Sequence, residues 1–206
     1  MHTLYTRPGS GGFVVEAALT LAGEPFTSIE VKRGGPYDPA FLALSPLRQI
    51  PVLVFADGRS MTESAAICIY LAEIHPEAEL GPGVGSPDRA DFLRWMLFMS
   101  SALYPALLRY FYAPRYTADP AGVEGVRQSA VSECDRLFEI LEQALQGRDW
   151  LVGSRRTIAD IYLLMLAHWH PEGDKPRPEW TCIVRLCERL KQDPVIAKLN
   201  ETHRSW

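Results

Sequence analysis

The sequence predicts an α/β domain followed by an all-α domain, and three observations carry that reading. Short strands and helices alternate through roughly the first 80 residues in the order β-α-β-α-β-β-α. The stretch Pro76 to Pro87 is dense in Gly and Pro, lacks periodicity and marks a linker. After it, apolar residues recur at helical spacing to the end of the chain. The expected partition is residues 1–76, a linker over 77–87, and a helical domain over 88–206.

Each element has a local cause. Thr3 to Thr6 forms the first strand. Phe13 to Ala22 is a helix with Val14, Ala17, Ala18 and Leu21 on one face, halted by Gly23 and Pro25. Thr27 to Val31 is the second strand. Asp38-Pro39 pairs an N-cap with a proline at the first helical position, opening a short helix that ends before Pro46. Val52 to Phe55 and Arg59 to Thr62 form a hairpin around Asp57-Gly58, a pair suited to the positive φ angles of a tight turn. Ser64 to Ile74 is a helix stopped by Pro76. This is the element order of a thioredoxin-like domain.

In the second domain Phe92, Trp95, Met96, Met99 and Leu103 form one helical stripe. Ala130, Cys134, Leu137, Phe138, Leu141 and Leu145 form another, and Ile183, Leu186, Cys187 and Leu190 a third. Thr157-Ile158-Ala159-Asp160 reads as a capping box with Asp in place of Glu, opening an apolar helix to Ala167 that belongs at the centre of a bundle. Asp160 is therefore structural rather than a catalytic acid. Asp193-Pro194 starts the last helix, and no internal repeat is present.

Composition narrows the function. The 206 residues are 47% hydrophobic with a net charge of −4, enough to bury a core. No basic tract supplies an electrostatic footprint for nucleic acid. The longest apolar run, Ala65 to Ala72, falls well short of a bilayer span, and Met1-His2-Thr3 leads directly into a strand rather than a signal peptide. The expected location is the cytoplasm, with no membrane partner. Cys68, Cys134, Cys182 and Cys187 match neither a zinc site nor a Cys-x-x-Cys motif, and none occupies the first strand-to-helix turn. They are expected to be buried or idle thiols in a reducing compartment. His168 and His170 have no partner at metal-ligand spacing and are expected at the surface or rim.

The most specific signal is Gln49-Ile50-Pro51-Val52-Leu53, followed by the turn and then by Glu63-Ser64. A proline opening a strand cannot donate to the ladder, so Pro51 aims the Ile50 backbone away from the sheet, where it can recognise another peptide. Beyond the hairpin, Glu63-Ser64 returns a carboxylate and a hydroxyl to the same sheet end. Ser64 alone also reads as a helix N-cap and Pro51 alone as a strand opener; their joint spacing is what is specific.

This arrangement resembles the glutathione-binding domain of the cytosolic glutathione transferases, here in the serine-type, zeta- or beta-like bacterial manner, and the order of motifs follows that family over almost the whole chain. The resemblance implies that Ile50 pairs its backbone with the cysteinyl part of glutathione, that Glu63 and Ser64 hold the γ-glutamyl end, and that Gln49 adds a side-chain contact. Arg48 departs from the pattern, standing where many members carry glycine, and adds a cation near the glycyl carboxylate. The resemblance further implies a homodimer, glutathione as cosubstrate, and no metal or redox cofactor.

Chemistry falls to the turn Tyr5-Thr6-Arg7-Pro8-Gly9-Ser10-Gly11-Gly12. A cysteine-like thiol ionises at about 8.5, so a predominant thiolate near neutral pH needs a shift of about two units, or about 2.7 kcal/mol. One hydrogen bond to a charged group supplies about 1.5–3 kcal/mol, and a helix N-terminus about 0.3–1 kcal/mol. Some transferase classes use a tyrosine at the end of the first strand and others a serine at the start of the first helix. The pattern Ser-x-x-x-x-Val-x-x-Ala-Leu places Ser10 at the serine of zeta-like members, with Tyr5 the competing hydroxyl. The cysteine of beta-like members is replaced by Gly11, and Gly11 and Gly12 let bare N–H groups approach a sulfur anion. Without that chemistry Ser10 reads as an N-cap and Tyr5 as a packed strand aromatic.

Trp95 to Tyr112 resembles the family's helix bordering the electrophile pocket, which implies roles for Tyr104, Leu108 and Tyr112, with Trp169 beyond the buried helix. The same aromatics also read as core. The expected function is attack of the glutathione thiolate on a small hydrophobic electrophile held between the two domains. Isomerisation, dehalogenation and peroxide reduction remain open in the same family, as does a non-catalytic binding or regulatory module.

Overall fold

Strand alternation and register organise the first part of the molecule. The computed structural model describes residues 1–206 and resolves into two units, Met1–Arg89 with Lys191–Trp206, and Ala90–Leu190. In the first, β1 (His2–Thr6), β2 (Phe26–Glu30), β3 (Val52–Val54) and β4 (Ser60–Met61) form one sheet in the order β2-β1-β3-β4. β1 runs parallel to β2 and antiparallel to β3, and β3 is antiparallel to β4. Side chains of β1 alternate: Leu4 and Thr6 are buried, while Tyr5 joins the cluster of Val31, Phe41 and Val52. α1 (Gly12–Leu21) is buried from Gly12 to Leu19 and packs on β1 and α3 (Ser64–Ile74), while α2 (Pro39–Leu44) brings Phe41 to the Tyr5 cluster. Asp38 caps α2 by accepting from the Ala40 N–H at 2.7 Å. Pro76 to Pro87, expected to be aperiodic, holds one 3₁₀ turn (Pro76–Ala78) and buries Leu80.

The second unit is built from α4 (Arg89–Phe98), α5 (Tyr104–Phe111), α6 (Val123–Ala144), α7 (Ile158–Ala167) and α8 (Thr181–Lys191), with only the end residues Arg89 and Lys191 counted in the first. All three predicted apolar stripes are buried. Trp95 to Tyr112 is not one regular helix, because Met99–Leu103 widens into a π-helical turn. Pro105 is the physical reason: it has no N–H and its ring crowds the carbonyl of Ser101, so the ladder slips and the Tyr104 N–H reaches back to the Met99 carbonyl. α7 is buried along its full length, and its capping box is formed. Asp160 accepts from the Thr157 N–H at 2.7 Å, the Thr157 hydroxyl at 3.1 Å and the Leu151 N–H at 2.8 Å. Burial pushes its carboxyl up to about 6 against those bonds, which favour the ionised form. Glu142 of α6 is buried and caps α8 from a distance, accepting from the N–H groups of Cys182 at 2.8 Å and Ile183 at 2.9 Å.

Two expectations are corrected here. His168 and His170 are buried rather than at a rim: His168 Nδ1 lies 2.8 Å from the Leu164 carbonyl, and His170 bridges the Glu172 carbonyl and Asp135. Arg177 completes that cluster on Asp135 at 2.8 Å. The second correction concerns the chain's last part, expected within the helical domain. α9 (Pro194–His203) belongs instead to the first unit and packs on α1, because its apolar contacts lie there. The rings of His203 and Trp206 meet Phe13 edge-on at 5.2 and 5.7 Å, and His203 Nε2 is 3.2 Å from Glu16 Oε1. Asn200 ties down the terminus through the Trp206 carbonyl and the Ser205 N–H.

Candidate active site

Register alone gathers the predicted residues of the first unit. Tyr5 pairs with Val52 and Leu53 with Met61, so Pro51 continues toward the end where β1 leaves the sheet after Thr6. Glu63 returns to that end after β4, as does the chain leaving β2, whose Val31 N–H donates to the Thr6 carbonyl at 2.8 Å. The turn before α1, the Ile50-Pro51 peptide and the start of α3 thus share one end of the sheet.

The Ile50–Pro51 bond is cis. Ile50 lies outside the ladder, and its N–H and carbonyl make no hydrogen bond within the chain. That leaves one donor and one acceptor for an extended peptide, the chemistry of strand addition. The preceding turn is braced by Ser45, whose hydroxyl donates to the Gln49 carbonyl at 2.8 Å and accepts from the Gln49 N–H at 3.0 Å. Arg48 holds φ at 59°, a left-handed conformation that glycine adopts without strain, and the exposed Gln49 side chain follows it.

Ser64 is the first helical residue of α3 rather than its N-cap; Glu63 takes the cap position with φ 66° and ψ 101° and makes no side-chain cap bond. A non-glycine residue in this region is strained by about 1–3 kcal/mol, and such strain clusters at ligand clamps. The outcome is an α3 N-terminus without an acidic residue in its first turn, beside an exposed Glu63 carboxylate. This pairs a positive dipole end with a free anion, which matches the carboxylate and ammonium of an α-amino acid group.

At the turn before α1, Ser10 is only 6% exposed. Its hydroxyl donates to the Arg7 carbonyl at 2.6 Å and accepts from the Gly12 N–H at 3.2 Å. Gly11 is the N-cap of α1, and its N–H makes no bond within the chain. Gly12 must lack a side chain, since a Cβ there would come within 1.7 Å of Thr6 Oγ1. Tyr5 projects from the opposite face of β1, its ring 5.7 Å from that of Phe41. Sequence reasoning gave no role to Thr6; the strand alternation that buries it was the available signal.

In the helical unit Tyr104, Leu108 and Tyr112 recur every four residues and form a half-buried stripe along α5 and its C-terminal cap. Trp169 meets Tyr104 edge-on at 5.3 Å, and the Arg115 guanidinium lies 4.3 Å from the Tyr112 ring. A separate surface cleft of about 380 Å³ is lined by Tyr110, Phe111, Glu124, Arg127 and Glu172 among others and includes none of the expected residues. Cys68, Cys134 and Cys187 are buried; desolvation raises the Cys68 thiol strongly and pushes Cys134 up to about 12, so neither is a nucleophile. No cluster of three or more His, Cys, Asp and Glu side chains is arranged to hold a metal ion, and no helix is long and apolar enough to cross a membrane.

A thioredoxin-like unit whose sheet end carries an unpaired Ile50 peptide, joined to a helical unit, defines the class, and comparison with known proteins agrees. Residues 14–74 match the glutathione S-transferase N-terminal domain and residues 95–194 the glutathione S-transferase C-terminal domain. The chain belongs to the glutathione S-transferase family. It is 31% identical over 171 residues to glutathione S-transferase GST-4.5 of Xanthomonas campestris, covering 82% of this chain and 83% of that protein. Among solved structures it resembles a glutathione S-transferase from Xylella fastidiosa, with TM-score 0.88 and 25% identity over 99% of both chains. A sphingomonad glutathione S-transferase complexed with glutathione shares the fold, with TM-score 0.85 and 24% identity over 98% of both chains.

Proposed function

We propose that this glutathione transferase binds glutathione at the sheet end bearing Ile50, Pro51, Glu63 and Ser64, and that Ser10 and the Gly11 N–H stabilise its thiolate for attack on a small apolar electrophile. The observation that carries the reading is the convergence, by register, of an unpaired Ile50 peptide, an uncapped α3 N-terminus and the Gly11-Gly12 turn. Ile50 pairs with the cysteinyl backbone, while Glu63 and the start of α3 take the γ-glutamyl ammonium and carboxylate. Gln49 and Arg48 face the glycyl end. The sulfur then lies toward the turn before α1, where Gly11 offers a backbone donor and Gly12 permits close approach. For Ser10 to donate to sulfur its proton must leave the Arg7 carbonyl, an exchange favoured because a hydrogen bond to an anion is roughly twice as strong as a neutral one. Tyr104, Leu108, Tyr112 and Trp169 supply apolar and aromatic surface for the electrophile. The working form is a cytoplasmic homodimer needing no metal.

The 2.6 Å Ser10–Arg7 bond also favours a second reading, a module that holds glutathione without activating it. Ultraviolet thiolate absorbance of bound glutathione against pH separates the two. Activation by Ser10 predicts a thiol pKa lowered by about two units in the wild type and largely restored in Ser10→Ala, with Tyr5→Phe unchanged. Loss of the shift in Tyr5→Phe alone overturns the Ser10 assignment, and an unshifted thiol in the wild type identifies the module.

A further inference from the structure

Thr6 carries a buried hydroxyl at this end of the sheet that the proposed chemistry leaves unused and that, unlike Ser45, has no partner. It is 4% exposed, and Oγ1 has no hydrogen-bond partner. It lies beside Gly12: a Cβ there would fall 1.7 Å from Thr6 Oγ1 and 3.3 Å from Ser10 Oγ, so both hydroxyls neighbour the same glycine. Valine has the same shape and the same preference for a strand, and it avoids the desolvation penalty of an unpaired hydroxyl. On stability alone the position favours valine. The hydroxyl is left available for a partner that this state of the turn does not supply.

Ser10 supplies one. Its oxygen has two lone pairs, of which the Gly12 N–H fills one, and its single proton goes to the Arg7 carbonyl. We propose that Thr6 is a positioning residue for Ser10: when Ser10 turns its proton from the Arg7 carbonyl to the glutathione sulfur, the Thr6 hydroxyl donates to Ser10 Oγ. The inference rests on the Ser10 reading above. Two donors into one oxygen polarise its O–H and strengthen its bond to an anion, so Thr6 lowers the thiol pKa without touching glutathione. The glycine at position 12 has a second use here, since a side chain there would displace the Thr6 hydroxyl.

The test is the thiolate absorbance titration on wild type, Thr6→Val, Thr6→Ser, Ser10→Ala and Thr6→Val/Ser10→Ala, with melting temperature measured alongside. Expected in Thr6→Val are a bound-thiol pKa raised by about 0.5–1 unit, the scale of one neutral hydrogen bond, an unchanged Kd for glutathione at low pH, and a melting temperature equal to or above wild type. Thr6→Ser keeps the wild-type thiol pKa, and Thr6→Val adds nothing once Ser10 is alanine. A wild-type thiol pKa in Thr6→Val means the hydroxyl meets only buried water and overturns the proposal, as does an equal shift with and without Ser10. Should Thr6→Val not fold, Thr6→Ser against Thr6→Ala isolates the hydroxyl by the same criteria. If Ser10→Ala itself leaves the thiol pKa unmoved, the Ser10 reading fails and this inference with it; if Ser10→Ala moves it and Thr6→Val does not, this inference alone fails.

Discussion

At the scale of single residues, the turn before α1 is set by one steric exclusion and three hydrogen-bonding groups. Gly12 is required by contact rather than by backbone angle, since a methyl there would overlap Thr6 Oγ1 and crowd Thr6 Cβ at 2.8 Å. Gly12→Ala is expected to cost about 1–3 kcal/mol through overpacking and to weaken glutathione binding, read by urea unfolding and by binding calorimetry. Ser10, Gly11 and Gly12 are singled out by resemblance to the family's turn, counted back from the helix motif Ala18-Leu19. The bond that commits the Ser10 proton to Arg7 could not be read in this way, because a hydroxyl's direction depends on a local carbonyl that sequence spacing does not specify. Glu63 shows the same limit: its position was legible, its positive φ was not.

Elements were read well where a cap or a breaker stood in the sequence. Asp38-Pro39, Thr157 to Asp160 and Asp193-Pro194 each begin a helix as their residue types dictate. What escaped were the partners that caps find far along the chain. Glu142 serves the N-terminus of α8 some 40 residues away, and truncating it to alanine leaves the buried Ile183 N–H and the part-buried Cys182 N–H unpaired. Glu142→Ala is expected to destabilise the protein by about 2–3 kcal/mol and Glu142→Gln by less, in urea unfolding, while the bound-thiol pKa stays at its wild-type value. The Asp160 cap carries a pH signature. Because burial raises its carboxyl to about 6, the folded chain holds this proton over a range where the unfolded chain has released it. Stability from this group therefore falls as pH rises from the ordinary carboxylate range to about 6 and is level above. The decline is about 2–3 kcal/mol at about 1.4 kcal/mol per unit, and it is absent in Asp160→Asn, whose overall stability is lower because the Thr157 N–H loses its carboxylate.

At the scale of the whole molecule, the thioredoxin-like and helical halves were legible from period and punctuation, whereas the return of the C-terminus to the first unit was not. Local pattern says that residues 194–203 are helical and amphipathic; which unit buries the apolar face is decided by Phe13, far away in sequence. Removing residues 191–206 is accordingly expected to expose Phe13 and Glu16 of α1 and abolish glutathione binding, while the helices of the second unit keep their circular dichroism signal. The same return shapes how the protein is made. On a ribosome, N-terminal domains ordinarily fold before later ones emerge. Here residues 90–190 are released with every residue of their own unit present, whereas the first unit, although its strands appear earliest, waits for Trp206 to leave the exit tunnel before Phe13 is covered. A nascent chain stalled before Trp206 is therefore expected to carry a finished helical half and an α1 face that has not yet been covered.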